Sequence, residues 1–141
     1  MPSTADVTAS PYIVLYGSLM SSFPMQQDLG LHNNMTLVGP CELPGKLYDL
    51  GEYPGLIGGS DGNYLVSAEL YHFSGQETLT ALDDYEDYKP DNEQESLYVR
   101  TLVNLYEPSL QAWVYIYNRD VLESNLIKSG SWKQHLLSKK T

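Results

Sequence analysis

The chain has 141 residues, 42% of them apolar, and its 18 acidic and 8 basic side chains give a formal charge of −10. A chain of this length buries enough surface to form one domain with its own core, without disulfide or metal staples. The acidic balance and the scattered basic residues argue against nucleic acid as a partner, because nucleic-acid affinity comes largely from phosphate neutralisation.

A single cysteine, Cys41, leaves no intramolecular disulfide to form, which suits a reducing compartment. The apolar stretch at residues 12–20 is interrupted by Gly17 and Ser18, is too short to span a bilayer and lacks the basic flank of a secretory signal. We therefore expect a cytoplasmic protein with no membrane partner, and a monomer or weak homodimer. Residues 1–10, rich in Ser, Thr and Ala, predict a disordered lead-in to a single domain over residues 11–141.

The first half of the chain predicts short strands punctuated by glycine and proline. Short apolar runs predict strands at residues 12–15, 36–41 and 46–50. Pro44 and Gly45 indicate a turn between the last two. Residues 24–29 predict one or two helical turns. The segment 51–63 holds five glycines and a proline, so we predict a loop there, long enough to carry function.

The middle of the chain predicts a strand followed by a helix. Residues 64–73 alternate in polarity, as a strand with one buried face does. The predicted core face consists of Tyr64, Val66, Ala68, Leu70 and His72. Residues 76–85 place Leu79 and Leu82 at helical spacing with few helix breakers, so we predict a helix with Ser74 as its candidate N-cap.

The last part of the chain predicts a hairpin and a helix. Strands over residues 97–106 and 112–117 are joined across Glu107-Pro108-Ser109, and the last helix covers residues 131–137. Several short strands with only a few short helices, and no regular strand–helix alternation, predict an α+β fold. We expect the twisted, mixed sheet to close into a small β-barrel.

Most of the common chemical motifs are absent from the sequence. His32, His72 and His135 share no metal-ligand spacing with each other or with Cys41, so we expect no metal site. The glycine patterns that bind nucleotide phosphates are missing as well. Cys41 lies in a predicted strand beside Pro40, which favours an inert buried thiol over a nucleophile.

Two segments remain as candidates for function. Tyr16-Gly17-Ser18-Leu19 follows a predicted strand, and its glycine lets the backbone bend and lets another group approach the N–H donors. The alternative for this segment is an ordinary strand end. The second segment, residues 83–95, holds seven acidic side chains and one lysine, a composition that also suits a solvated face.

Glu86 differs from its acidic neighbours in its spacing. It lies four residues after Leu82, between Tyr85 and Tyr88, which places it at the edge of the core-facing stripe. A carboxylate partly removed from water among other carboxylates has a raised pKa. Such a glutamate is suited to act as a base near neutral pH.

Together these residues resemble the γ-glutamylcyclotransferase-like family, in particular its small bacterial and γ-glutamylamine-cyclotransferase-type, AIG2-like members. The matching pieces occur in order between residues 12 and 133: Tyr16-Gly17-Ser18-Leu19, residues 44–56, Ala68-Glu69-Leu70-Tyr71, Leu82-Asp83 with Glu86, Tyr98 with Arg100, Ala112-Trp113-Val114-Tyr115, and residues 127–132. Two departures stand out. Met20-Ser21-Ser22 replaces an Arg-rich stretch, and Asp87 occupies a position where the family commonly carries glycine.

The resemblance implies release of 5-oxoproline from γ-glutamyl amides, through attack of the glutamyl α-amine on its own side-chain carbonyl. It assigns Glu86 as the base, and the backbone N–H groups of Gly17, Ser18 and Leu19 as donors to the substrate carboxylate or the oxyanion. It implies a small γ-glutamyl substrate as partner and no cofactor.

Other pocket residues are implied with a plain alternative, namely a role in the core only. These candidates are Tyr16, Tyr53, Tyr88, Tyr98 and Arg100. Three rival functions stay open: removal of a γ-glutamyl protecting group from a biosynthetic intermediate, a non-catalytic binding module, and an acidic structural domain without a pocket.

Overall fold

The computed structural model describes residues 9–17, 19–20, 25–28, 30–31, 33–58, 64–105 and 108–139. The described strands are β1 (Tyr12–Leu15), β2 (Met35–Pro44), β3 (Lys46–Asp49), β4 (Pro54–Ile57), β5 (Leu65–Phe73), β6 (Tyr98–Asn104), β7 (Gln111–Tyr117) and β8 (Leu126–Ile127). The described helices are α1 (Met25–Asp28), α2 (Gln76–Tyr85) and α3 (Trp132–Lys139), with 3-10 turns at Glu93–Glu95 and Glu123–Asn125. The structure is therefore α+β, as predicted.

The described strands form two sheets and no closed barrel, so the barrel prediction is wrong. Five strands follow the order β2-β5-β1-β7-β6, and three follow the order β4-β3-β8. The β1–β7 pair is parallel, and the other described pairs are antiparallel. Gly45 lies between β2 and β3 with φ +151°, and a Cβ there would be 2.9 Å from the carbonyl oxygen of Ile57. The chain leaves the larger sheet for the smaller one at this glycine.

Strand β4 lies inside the segment that the sequence predicts as a loop. Gly55, one of the glycines behind that prediction, pairs with Tyr48 of β3. A Cβ on Gly55 would lie 2.9 Å from Cγ of Tyr117 on β7. The glycine therefore permits close packing of β4 on the larger sheet. Residues 59–63 of the predicted loop lie outside the described residues.

The core face predicted for β5 is correct only in its middle part. Val66, Ala68 and Leu70 are buried, but Tyr64 is half-buried and precedes the strand, and His72 is exposed. Tyr71 and Phe73 are buried on the other face, and Nε2 of Gln26 in α1 donates to the Tyr71 hydroxyl.

The start of α2 differs from the prediction in its cap. Gly75 is the N-cap, at φ 84°, with no side-chain capping bond. Ser74 therefore does not cap the helix. Its carbonyl oxygen instead accepts a hydrogen bond from Oγ1 of Thr78.

The remaining predicted elements are confirmed. Strand β1 has the predicted bounds, β6 and β7 pair as a hairpin, and α3 begins one residue after its predicted start. Residues 106 and 107, in and beside the hairpin connection, lie outside the described residues, as do residues 1–8 of the predicted lead-in. Ser10 is buried, and its hydroxyl donates to the carbonyl oxygen of Gln111. Among the described helices, none has the length and apolar character needed to cross a membrane.

Candidate active site

A cavity of about 240 Å³ opens where β1 ends, beside β4 and the C-terminal end of α2. The residues that line it are mostly apolar or aromatic: Val14, Leu15, Tyr16, Gly17, Leu19, Tyr53, Pro54, Tyr85, Glu86, Leu97, Tyr98 and Tyr115. Among the described residues of this lining, Glu86 is the only one with a charged side chain. This cavity excludes one of the rival functions, an acidic structural domain without a pocket.

Glu86 is placed by the last turn of α2. It is the C-cap residue, and its backbone N–H donates to the carbonyl oxygen of Leu82 at 2.9 Å. Within the described part of the chain, its carboxylate makes no hydrogen bond or ion pair. Removal from water raises the pKa of Glu86 from its ordinary 4.5 to about 8. The cavity therefore contains a carboxyl group that is mostly protonated at neutral pH and has no hydrogen-bonding or ionic partner among the described residues.

The backbone conformation of Asp87 explains how it replaces the glycine that the resembling family commonly carries at this position. Its φ is +55°, in the left-handed region where glycine is favoured, and Asp is among the residues that enter this region at modest cost. Its carbonyl oxygen accepts a hydrogen bond from the N–H of Leu97. Asp87 can therefore occupy the glycine position without changing the turn that follows Glu86.

A buried ion pair holds the C-terminal half of α2 against the larger sheet. Asp83 accepts hydrogen bonds from Nε and Nη2 of Arg100 at 2.8 and 3.1 Å, and from the hydroxyl of Tyr115 at 2.7 Å. Asp83 is 3% exposed and Arg100 is 5% exposed. The guanidinium also lies over the ring of Trp113, 4.6 Å from its centre. Asp83 precedes Glu86 by about one helical turn, so this network fixes the position of the Glu86 backbone.

Tyrosine hydroxyls tie the cavity walls together. Tyr16 donates to the carbonyl oxygen of Tyr115 at 2.6 Å and accepts from the N–H of Leu56 at 3.3 Å. Tyr98 donates to the carbonyl oxygen of Pro54 at 2.7 Å. Burial raises the pKa of Tyr16 and of Tyr98, and the nearby charge of Glu86 raises both further. Both phenols therefore stay neutral and act as fixed hydrogen-bonding groups.

The turn after β1 is held from two sides. The N–H of Met20 donates to the carbonyl oxygen of Gly17, and Nε2 of Gln26 donates to that of Leu19 at 2.6 Å. A Cβ on Gly17 would lie 3.0 Å from Cγ of Pro54, so a side chain here would press on β4. The glycine allows the turn to lie close to the wall of the cavity.

The structure brings most of the predicted site residues together. Tyr16, Gly17, Leu19, Tyr53, Tyr98 and Glu86 line the cavity. Ser18 lies outside the described residues. Tyr88 and Arg100 are not part of the lining: Arg100 pairs with Asp83, and its guanidinium lies 5.4 Å from the centre of the Tyr88 ring.

Some residues of the site were missed by the sequence reasoning. Leu97 and Tyr115 also line the cavity, and Asp83 accepts a hydrogen bond from the hydroxyl of Tyr115. Tyr85, whose segment the sequence predicts to meet the other tyrosines at one pocket, lines the cavity as well. In the described residues, no group of three or more His, Cys, Asp or Glu side chains could hold a metal ion.

Comparison with known proteins gives a consistent result. Residues 13–134 match the family model described as Gamma-glutamyl cyclotransferase, AIG2-like. The chain is 33% identical over 121 residues to the Gamma-glutamylcyclotransferase family protein ytfP of Citrobacter rodentium, covering 85% of this chain and 93% of that protein.

Two solved structures agree with this assignment. The solution structure of ytfP from Escherichia coli superposes with a TM-score of 0.64 at 31% identity, covering 88% of this chain and 97% of that one. The crystal structure of an AIG2-like protein from Mus musculus superposes with a TM-score of 0.68 at 25% identity, covering 86% of each chain. The chain therefore belongs to the AIG2-like gamma-glutamylcyclotransferase family.

Proposed function

We propose that this protein converts small γ-glutamyl amides into 5-oxoproline and a free amine, with Glu86 as the general base. The observation that carries the proposal is the carboxyl group of Glu86, which has no hydrogen-bonding partner among the described residues. It lies beside the turn after β1, in a cavity whose other described lining side chains are uncharged. Membership of the γ-glutamylcyclotransferase family supports the same reaction class.

The reaction asks for positioning more than for strong chemical activation. The attacking amine and the carbonyl carbon belong to one glutamyl group, and good orientation of such intramolecular partners is worth roughly 7 to 11 kcal/mol. A cavity of about 240 Å³ with buried walls can hold this group in its folded, cyclising form. In becoming the lactam N–H, the α-nitrogen loses two protons, one from the ammonium before attack and one after it has bonded to the carbonyl carbon. The leaving nitrogen gains both and departs as an ammonium.

Glu86 is matched to both proton transfers. An α-ammonium has a pKa of about 8, and the pKa of Glu86 is about 8 as well, so transfer between them is nearly balanced. After ring closure, the protonated carboxyl donates to the nitrogen of the departing amine. The same group therefore serves as base and then as acid.

The turn after β1 supplies the donors for a negatively charged oxygen. The backbone N–H groups of Gly17 and Leu19 belong to a turn that Gln26 holds in place through the Leu19 carbonyl oxygen. We assign these N–H groups to the substrate carboxylate or to the oxyanion that forms during ring closure. Fixed backbone donors stabilise developing charge without reorganising during the reaction.

The experiment that tests this proposal is product analysis. Incubation of the purified chain with γ-glutamyl amides is expected to give 5-oxoproline and the free amine in equal amounts, measured by liquid chromatography and mass spectrometry. Release of free glutamate would indicate hydrolysis and overturn the cyclotransfer step. Turnover confined to larger γ-glutamyl conjugates would favour removal of a protecting group from a biosynthetic intermediate.

The pH dependence of kcat/KM should reveal the titration of Glu86. Only the ionised carboxyl accepts a proton, so we expect kcat/KM to rise about tenfold per pH unit between pH 6 and pH 7.5. It should peak near pH 8 and fall above it, because the substrate α-ammonium, with a pKa of about 8, then loses its proton to solvent. The measurement is kcat/KM from pH 5.5 to pH 9 at constant ionic strength.

The control for this profile is Asp84→Asn, which neutralises an exposed carboxylate two residues before Glu86. We expect this variant to keep the inflection of the wild-type protein. A flat wild-type profile between pH 6 and pH 8 would exclude Glu86 as the titrating base.

A further inference from the structure

The cavity has a buried floor and an aromatic rim. Val14, Leu15 and Tyr98 are at most 4% exposed, whereas Tyr53 is 40% exposed and Tyr85 is 38% exposed. All five residues line the same cavity. The two exposed tyrosines therefore mark the side on which a ligand extends toward solvent.

The reaction proposed above decides which part of the substrate reaches this rim. Ring closure involves only atoms of the glutamyl group, and these atoms must lie near the Glu86 carboxyl and the turn after β1. The substituent on the amide nitrogen takes no part in the ring. It is therefore the portion that extends from the floor to the rim, and the rim contacts the leaving amine.

The rim suits an aromatic leaving group. The Tyr53 ring lies 6.4 Å from the Tyr98 ring at 59°, and the Tyr98 ring lies 5.3 Å from the Tyr117 ring at 61°. These tilted spacings are those at which aromatic rings attract one another. Leu97, half-buried, adds aliphatic surface to the same cavity. A further ring entering beside Tyr53 would extend this series of aromatic contacts.

The charges around the rim disfavour a carboxylate on the leaving group. No basic side chain lines the cavity, as far as the structure describes it. Arg100 is buried against Asp83, and Lys89 lies 3.8 Å from Asp87. A carboxylate at the rim would find no cation among the described lining residues, and the one charged side chain there, Glu86, is acidic.

We infer that the rim formed by Tyr53, Tyr85 and Leu97 is a subsite for leaving groups that carry an aromatic ring and no carboxylate. The preferred substrates are then γ-glutamyl amides of arylalkylamines rather than γ-glutamyl amino acids. This inference rests on the proposed function. It adds the chemical class of the leaving amine.

Three matched substrates separate the ring from the carboxylate. The compounds are γ-glutamyl-2-phenylethylamide, γ-glutamylphenylalanine, which adds a carboxylate to the same leaving group, and γ-glutamylethylamide, which lacks the ring. We expect kcat/KM for the phenylethylamide to exceed that for each of the others by about tenfold or more. The readout is 5-oxoproline formation under identical conditions.

Two variants locate this selectivity on the rim. Tyr53→Ala is expected to reduce the ratio of kcat/KM for the phenylethylamide over the ethylamide by about 3- to 10-fold. Tyr64→Ala is the matched control, because its ring lies outside the cavity lining and packs under Nζ of Lys46. The control should keep the wild-type ratio.

The possible failures are distinct. Equal turnover of the phenylethylamide and the ethylamide, or preference for γ-glutamylphenylalanine, would overturn the subsite and leave the proposed function intact. Absence of 5-oxoproline from all three compounds would overturn the proposed function and the subsite together.

Discussion

Replacing Glu86 with Gln is expected to lower the rate of 5-oxoproline release by roughly 10²- to 10⁴-fold. Gln keeps the size and polarity of the side chain but cannot accept a proton from the substrate ammonium. In the proposed mechanism the Glu86 carboxyl serves the proton transfers alone. Among the described lining residues the other polar side chains are phenols, and those of Tyr16 and Tyr98 donate to backbone carbonyls. The measurement is single-turnover and steady-state kinetics with a γ-glutamyl amide.

The same variant is expected to be more stable than the wild-type protein at alkaline pH. In the folded chain the pKa of Glu86 is about 8, against an ordinary value of 4.5, so folding favours the protonated form. The contribution of Glu86 to the free energy of unfolding is therefore highest at acidic pH and is lost as the pH rises toward 8. Gln has no such titration, so the difference should grow between pH 5 and pH 8, to on the order of 3 kcal/mol.

Thermal unfolding at several pH values checks this second effect. The control is again Asp84→Asn, which should show no stabilisation that grows with pH in this way. An active Glu86→Gln variant would exclude the base assignment, whereas an inactive variant that is less stable than wild type at pH 8 would contradict the burial of the carboxyl.

Replacing Arg100 with Met is expected to lower the free energy of unfolding by about 3 to 5 kcal/mol. Arg100 and Asp83 are both almost fully buried, and their bidentate contact is joined by the hydroxyl of Tyr115. Removal of the guanidinium leaves the Asp83 carboxylate without its cation in a position that water does not reach. Urea denaturation of the variant and the wild-type protein measures the loss.

A surface ion pair provides the matched control. Lys89 and Asp87 lie 3.8 Å apart, with both side chains more than half exposed. Lys89→Met should therefore change the free energy of unfolding by less than about 1 kcal/mol. The triple variant Asp83→Leu, Arg100→Met, Tyr115→Phe removes the whole polar group and should recover part of the loss, since apolar replacement of a buried pair is often neutral. A loss below 1 kcal/mol for Arg100→Met alone would contradict this account.

The position of Glu86 was predictable because it depends on local spacing. Four residues after the buried Leu82, in a helix that the apolar pattern already indicates, a side chain reaches the edge of the buried stripe. The cavity itself was not predictable in the same way. Its lining comes from β1, β4, β6, β7 and the end of α2, and the sheet topology brings these elements together.

The role of Arg100 could not be predicted from the periodicity of its strand. Tyr98 and Arg100 lie two residues apart and share one face of β6, and both are buried. Two residues along a strand span about 6.6 Å, enough to carry Arg100 from the cavity to the underside of α2. The partner that decides its role, Asp83, is 17 residues away on another element. The alternation of polar and apolar residues predicts which face of a strand is buried. It does not predict which element packs on that face at each residue.

Gly55 shows a second limit, which concerns the meaning of glycine. The high glycine content of residues 51–63 predicts a loop, yet Gly55 lies in β4. Glycine is needed at this position because Tyr117 approaches too closely for a Cβ. A glycine needed for a turn and a glycine needed for close packing are identical in the sequence. Only the neighbouring strand distinguishes them.

The place of β1 in the sheet has a consequence for how the chain folds. Ile13 lies between Tyr71 of β5 and Trp113 of β7, so the first strand joins the two halves of the sheet. Its partners are about 60 and 100 residues distant in the sequence. Because such distant pairings are slow to form, the sheet is expected to be completed late, after β7 has left the ribosome. The β1 segment, apolar along its length, is therefore exposed to aggregation during synthesis for longer than any other described strand.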